Sequence, residues 1–210
     1  MRVLLAIVFA AAAPALKHTT AGTTTAKASL VTLADMGKGW TGKASPQQGT
    51  SFGCTGFHPS GKGIVETGAA TSAAITYDTI GPFVLQKTSV YATTGQANTY
   101  WQRAVTPGLI ACVVQTLEAV EARGVKVTIT SKGKLPFSTS LPHTAAYRVV
   151  GTLDSGKNKV ANYFDVIILG KGRTITAITV SSFKVAPPAS FEKGLATIVA
   201  SRLAGGPGAA

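Results

Sequence analysis

Residues 145–183 read AAYRVVGTLDSGKNKVANYFDVIILGKGRTITAITVSSF, and this stretch decides the fold. Its three apolar segments, 145–153, 159–169 and 173–183, have the length and the β-branched content of strands. Short polar or glycine-rich connections separate them, as in β-hairpins. A fourth strand is predicted at 125–130, where valine and isoleucine alternate with lysine and threonine. This half of the chain therefore predicts an antiparallel meander.

The segments that flank the meander predict two more strands and several helices. Residues 73–77 and 83–92 are extended in pattern; in the second, Val84 and Val90 fall on one side and Phe83, Leu85 and Tyr91 on the other. Apolar residues recur at helical spacing in 97–104, in 109–120 and after Pro187-Pro188. We expect an α+β fold in which an antiparallel sheet of about five to six strands carries helices on one face.

The amino-terminal residues 1–15 predict an export signal. Arg2 gives a positive start, residues 3–12 form an apolar run, and Ala13-Pro14-Ala15 has the small-x-small pattern of a cleavage site. No cysteine follows the cut, so no lipid anchor is expected. No later stretch approaches the ~18 apolar residues of a membrane-spanning helix. The pattern predicts a secreted, extracytoplasmic protein of the cell envelope.

The rest of the chain predicts one domain. Residues 16–29 are rich in threonine and alanine and predict a flexible tether. Ser29 is a candidate cap for a short helix that contains Leu30, Leu33 and Met36. A single domain is expected over 30–204, followed by a disordered tail at 205–210.

Two cysteines, Cys54 and Cys112, lie 58 positions apart. In an oxidising compartment such a pair predicts one structural disulfide. Two reactive thiols or a metal site are the alternatives, but neither cysteine has a cysteine or histidine at ligand spacing. Cys54 belongs to an irregular segment, 41–68, that contains many glycines and prolines.

The sequence offers one motif for catalysis, since Gly49-Thr50-Ser51-Phe52-Gly53 has the spacing of a hydrolase nucleophile elbow. That motif works only between a strand and a helix, and the residues on both sides of Ser51 fit neither. We interpret it as a glycine-rich loop and keep a serine hydrolase using Ser51 as a rival hypothesis. The three histidines, 18, 58 and 143, lack metal-ligand spacing, so neither a metal nor a cofactor nor an enzymatic activity is expected.

The composition is strongly basic, with 20 lysines and arginines against 8 acidic residues and a formal charge of +12. The basic residues are scattered singly, which is typical of a solvated surface. A weak patch for acidic wall polymers or lipid head groups is the alternative, and a charge-held adhesive or structural wall protein is a third hypothesis. Nucleic acid is not an expected partner, because the export signal opposes it and the aromatic residues Tyr147, Tyr163 and Phe164 fit a core.

Several landmarks resemble the extracellular sensor domain of PknH-type receptor kinases and its stand-alone secreted relatives in actinobacteria. They span about residues 30–203 and comprise Leu33-Ala34-Asp35-Met36 with Gly39-Trp40, Cys54, the strand 84–91 leading into the helix at 97, Pro107 before Cys112, Gly172-Arg173 in the meander, and Arg202-Leu203. The chain has two cysteines where that family is expected to have four, and it has no kinase segment.

The resemblance implies a helix-packed antiparallel sheet with a cleft for an extracellular ligand and no enzyme activity. We expect sheet residues to line the cleft and the irregular loop to cap it, with Tyr147, Arg148 and His58 as ligand-binding residues. The expected partner is a small molecule, a lipid or an anionic envelope polymer.

Overall fold

The computed structural model describes residues 14–44, 54, 57–119, 125–156 and 158–205. Three predicted features lie outside these ranges: the export signal up to residue 13, Ser51, and the tail after residue 205. The described residues form an α+β fold around one sheet, so the predicted class is confirmed.

The predicted meander is confirmed as the core of the sheet. Strands β6 (Lys126–Lys134), β7 (His143–Asp154), β8 (Lys159–Lys171) and β9 (Thr174–Phe183) are antiparallel neighbours in chain order. The turn from β8 to β9 needs a residue with positive φ, and Gly172 supplies it with φ 57°.

Five other strands complete the sheet in the described residues, and the whole sheet is larger than predicted. They are β1 (Ala15–Leu16), β2 (Thr41–Lys43), β3 (Val65–Thr71), β4 (Ala74–Thr76) and β5 (Phe83–Tyr91). The main order is β1-β3-β5-β9-β8-β7-β6, and β4 pairs with both β2 and β5. Because β1 runs parallel to β3, the sheet is mixed, and the expected antiparallel sheet of five to six strands is corrected. Strands β4 and β5 match the strands predicted at 73–77 and 83–92, whereas β1 and β2 are only two or three residues long, which is too short for an alternating pattern to show in the sequence.

Helices lie on both faces of the sheet, so the prediction of helices on one face is wrong. Helices α2 (Thr94–Ala104) and α3 (Pro107–Glu118) pack on the face that includes Phe164, Val166 and Ile168. Helices α1 (Thr20–Ala28) and α4 (Ala189–Gly205) cover the opposite face, where α4 packs on Ile167 and Leu169. The cause is visible in β8, whose almost continuous apolar run is typical of a strand buried on both sides.

Helix α1 occupies the segment predicted to be a flexible tether, which corrects that prediction. Thr19 caps it by accepting a hydrogen bond from the backbone N–H of Gly22 at 3.0 Å. The helix lies directly against β3, because a Cβ atom at Gly22 would collide with the Thr67 carbonyl and one at Gly68 with the Gly22 backbone. Such contact between small residues leaves no apolar stripe in the sequence, and so helical periodicity does not reveal it.

The helix predicted to start at Ser29 is also corrected. Ser29 ends α1 instead, and the following segment contains only a single 3-10 turn, Leu33–Asp35. This turn is connected to α4, which is distant in sequence. The Arg202 guanidinium donates to both carboxylate oxygens of Asp35, at 2.7 and 3.0 Å.

The predicted disulfide is present between Cys54 and Cys112, whose Cα atoms are 5.2 Å apart. Cys54 is buried, while Cys112 lies half-buried on α3. The bridge therefore fixes the irregular segment to the helix that covers one face of the sheet.

Candidate functional site

The three residues predicted to bind a ligand do not form one site. Tyr147 and Arg148 are neighbours on β7, and successive side chains of a strand point to opposite faces. Tyr147 is accordingly buried in the core beneath α2 and α3, while Arg148 lies on the α4 side. His58 is exposed, in the segment that follows Cys54. Burial raises the pKa of Tyr147, so its phenol is neutral at neutral pH.

Arg148 instead belongs to a buried cluster of charges that links β7, β8 and α4. Its guanidinium donates to both carboxylate oxygens of Asp165, each at 2.7 Å, and to Oε2 of Glu192 at 3.4 Å. Asp165 is fully buried. The hydrogen bond to Asp165 is the main reason that the pKa of Arg148 is raised. This geometry ties the helix to the sheet and leaves Arg148 committed to a structural role.

Glu192 is the least satisfied member of this cluster. Its Oε1 is buried and has no hydrogen-bond partner among the described residues. Burial, and then the neighbouring Asp165 carboxylate, raise the pKa of Glu192 to about 8, although Arg148 acts in the opposite direction. The folded protein thus holds a carboxylic acid proton here that the unfolded chain releases near its ordinary pKa of 4.5.

We expect Glu192 to make the protein less stable as pH rises. Between about pH 4.5 and 8 the folded state binds the proton and the unfolded state does not, so the free energy of unfolding falls with a slope of up to about 1.4 kcal/mol per pH unit. Glu192→Gln keeps a neutral side chain of the same shape that does not titrate, so its stability should vary less over this range. Urea unfolding of both proteins at pH 5, 6.5 and 8 measures the difference, and parallel curves would contradict the expectation.

A groove on the opposite face, beneath α2, combines polar and apolar side chains. We call it the Lys87 groove; its volume is about 330 Å³. It opens between the first strands of the sheet and the helix, and its lining residues include Leu16, His18, Glu66, Lys87, Tyr91, Tyr100, Trp101 and Ile168. This volume lies at the lower end of the range for small-molecule sites.

Lys87 lies at the floor of this groove. It is a half-buried residue of β5, paired in register with Ala177 of β9 on one side and Thr71 of β3 on the other. Ala69 and Ser89 lie nearby, and these small side chains leave space above the sheet. The Lys87 ammonium has no hydrogen-bond or ion-pair partner within the described ranges. A partly buried cation without a counter-ion marks a place where an anion can bind.

The other titratable groups around the groove are already paired or neutral. His18 Nε2 lies 2.8 Å from Oε1 of Glu66. Burial raises the pKa of Tyr100 to about 12, with a further contribution from Glu66, and burial also raises the pKa of Tyr91. Both phenols are therefore uncharged at neutral pH. The arrangement can hold a negatively charged group at Lys87 and a flat apolar group against the aromatic wall.

The aromatic wall is held in place by a second pair of rings. Trp101 stacks on His143 with a centroid distance of 4.8 Å, and His143 Nε2 is 2.8 Å from Oδ1 of Asn98. Burial lowers the pKa of His143, which favours the uncharged ring at neutral pH. These contacts join α2 to the start of β7 and fix the side of Trp101 that faces the groove.

A second groove lies on the same face of the sheet, at the opposite strand ends. We call it the apolar groove; its volume is about 310 Å³. Apolar side chains from α3 and from the four strands β6 to β9 dominate its lining: Leu117, Val127, Leu153, Val160, Phe164 and Phe183. Lys184 lines its rim.

The sequence contains a signal for the Lys87 groove that the predictions did not use. The side of β5 that carries Phe83, Leu85 and Tyr91 is interrupted by Lys87 and Ser89. Two polar residues in succession on an otherwise apolar strand face indicate a break in the packing above them. Which helix or strand flanks the break depends on tertiary structure, and the pattern alone does not contain it.

The described ranges contain no group of three or more histidine, cysteine, aspartate or glutamate side chains placed to hold a metal ion. Among the helices described, none has both the length and the apolar character needed to cross a bilayer. No family model matches the chain, and no curated protein matches it either.

Proposed function

We propose that this protein is a secreted, non-enzymatic binding domain of the cell envelope, and that its Lys87 groove holds a small anionic ligand. The observation that carries this proposal is the position of Lys87. It is a half-buried lysine at the floor of a groove of about 330 Å³, without a counter-ion among the described residues. Binding an anion would supply the missing partner.

The walls of the groove narrow the class of ligand. Tyr100 and Trp101 offer aromatic surfaces, while Ile168 and Ile175 provide an aliphatic base. A compact molecule with one negative group and one ring or flat apolar part would satisfy both regions. Because Glu66 is already hydrogen-bonded to His18 and both phenols are uncharged, Lys87 is the group of the groove that is open to an anion.

The location in the envelope is proposed from the amino-terminal pattern and the disulfide. A basic start, an apolar run and a small-x-small site indicate export, and the Cys54–Cys112 bridge is compatible with an oxidising compartment. The resemblance to PknH-type sensor domains supplies the sensor-like part of the proposal. A protein of this type would report the presence of its ligand to a separate partner.

Replacement of Lys87 by methionine tests the proposal. We expect benzoate, phenyl phosphate or indole acetate to raise the melting temperature of the wild-type protein, and neutral benzyl alcohol to have a much smaller effect. Loss of a charge-assisted hydrogen bond should weaken anion binding by about 10- to 100-fold in Lys87→Met. Lys193→Met removes the same charge from an exposed position on α4 and serves as the matched control.

The proposal fails if none of these anions stabilises the protein, or if Lys87→Met and Lys193→Met bind them equally well. The net charge of +12 favours one alternative, a wall protein held by charge alone. In that case binding to isolated cell wall would be abolished by salt and would not saturate with a small ligand. The rival hydrolase hypothesis predicts fluorophosphonate labelling that disappears in Ser51→Ala.

A further inference from the structure

The apolar groove has a chemical character different from that of the Lys87 groove. Apart from Lys184, its described lining residues are uncharged. Leu117 comes from the last turn of α3, Leu153 and Phe164 from neighbouring strands, and Phe183 from the end of β9. Its volume of about 310 Å³ lies at the lower end of the range for small-molecule sites.

Lys184 at the rim has an unusual backbone conformation. Its φ is 70°, and among the described residues it alone has a positive φ without being glycine. Its backbone N–H donates to the Ala161 carbonyl at 2.8 Å, and this bond holds the strained turn in place. Glycine would adopt the same conformation without strain, so the feature that requires explanation is the lysine side chain.

We propose that the apolar groove is a second binding site, which holds the hydrocarbon chain of an anionic amphiphile while Lys184 pairs with its head group. The apolar lining would remove the chain from water. Exposed Lys184 provides the one charge that lines the groove in the described part of the protein, and its sign selects a carboxylate or a phosphate. This inference is independent of the Lys87 groove and goes beyond the function proposed above.

The test uses three probes with the same hydrocarbon chain: dodecanoate and dodecyl phosphate below their critical micelle concentrations, and dodecanol below its solubility limit. We expect at least one of the two anions to bind the purified protein, and comparison of the two separates a carboxylate from a phosphate head group. Lys184→Gly should weaken binding of that anion by about tenfold, as expected for loss of one charge-assisted hydrogen bond, and change dodecanol binding by less than about twofold. Lys184→Arg should retain binding.

Three measurements on variants separate binding at this groove from folding and from binding at the Lys87 groove. Val160→Trp places a large side chain on a half-buried lining residue and should abolish binding of all three probes. Lys184→Gly should unfold at a temperature no lower than the wild type, because it relieves the strained φ. Lys87→Met should leave the affinity for the dodecyl probes unchanged. A wrong assignment of the apolar groove is then distinguishable from a wrong assignment of the Lys87 groove.

Three results would overturn the inference. They are the absence of binding by either anion, unchanged binding after Val160→Trp in a folded protein, and equal weakening of anion and alcohol binding in Lys184→Gly.

Discussion

Replacement of Arg148 by methionine is expected to destabilise the fold by about 3–5 kcal/mol, because it leaves the buried Asp165 carboxylate without its bidentate partner. Glu192 adds a second acidic group to the same enclosed space. The loss should appear as a lower midpoint in urea, with an unchanged slope if the native state remains compact.

A matched variant distinguishes loss of the charge cluster from loss of packing. Arg148→Met, Asp165→Val and Glu192→Leu together remove all three charged groups of the cluster, so that no buried charge is left without a partner. Buried ion pairs replaced by apolar residues of similar volume are often neutral or even stabilising, so the triple variant should recover most of the stability. A triple variant as unstable as Arg148→Met would show that shape, and not charge, accounts for the effect.

Loss of the disulfide is the other change with a large expected effect. Cys54→Ser with Cys112→Ser opens a loop defined by a sequence separation of 58, and the chain-entropy model gives about 4 kcal/mol for that length. For a protein of this size the melting temperature should fall by roughly 8–16 °C. Calorimetry of the double variant measures this loss directly.

Reduction of the wild-type protein provides the control for the double variant. The wild type in excess dithiothreitol should melt close to the temperature of the double serine variant. Equal melting temperatures for the oxidised and the reduced wild type would show that the bridge contributes nothing to the fold.

The meander was predictable because its strands are long and their pattern is unambiguous. Strand β8 carries a nearly unbroken apolar run, and β6 alternates apolar and polar residues at its start. The helices α2 and α3 were predictable for similar reasons, since each shows apolar residues at helical spacing and the Pro107-Gly108 pair marks the point where α3 begins. Local pattern and tertiary structure agree in these elements.

The errors fall where contacts between distant residues decide the structure. Helix α1 is stabilised by the close approach of Gly22 to Gly68, which a one-dimensional pattern cannot reveal. The burial of β8 on both sides follows from its composition, yet the prediction placed helices on only one face. The short strands β1 and β2 depend on pairing partners that are distant in sequence, since β1 pairs with β3 and β2 pairs with β4.

The candidate sites were less predictable than the fold. The sequence predicts Tyr147 and Arg148 to share one site, but adjacent residues of a strand face opposite ways. Lys87 was visible as a polar interruption of an apolar strand face, but its lack of a partner and the space above it depend on β3, β9 and α2. The strain at Lys184 depends on its hydrogen bond to Ala161, so residue type alone does not reveal it.

If the amino-terminal segment is a leader that is cut after Ala15, as proposed, the position of β1 sets an order of events. In the folded, uncut chain the N–H of Ala15 is bonded to the Ile64 carbonyl at 3.1 Å and that of Lys17 to the Glu66 carbonyl at 2.9 Å, so the scissile bond lies within a hydrogen-bonded ladder. Proteases act on backbone that is free of such pairing. Cleavage would therefore have to come before β1 pairs with β3, while the polypeptide is still being exported.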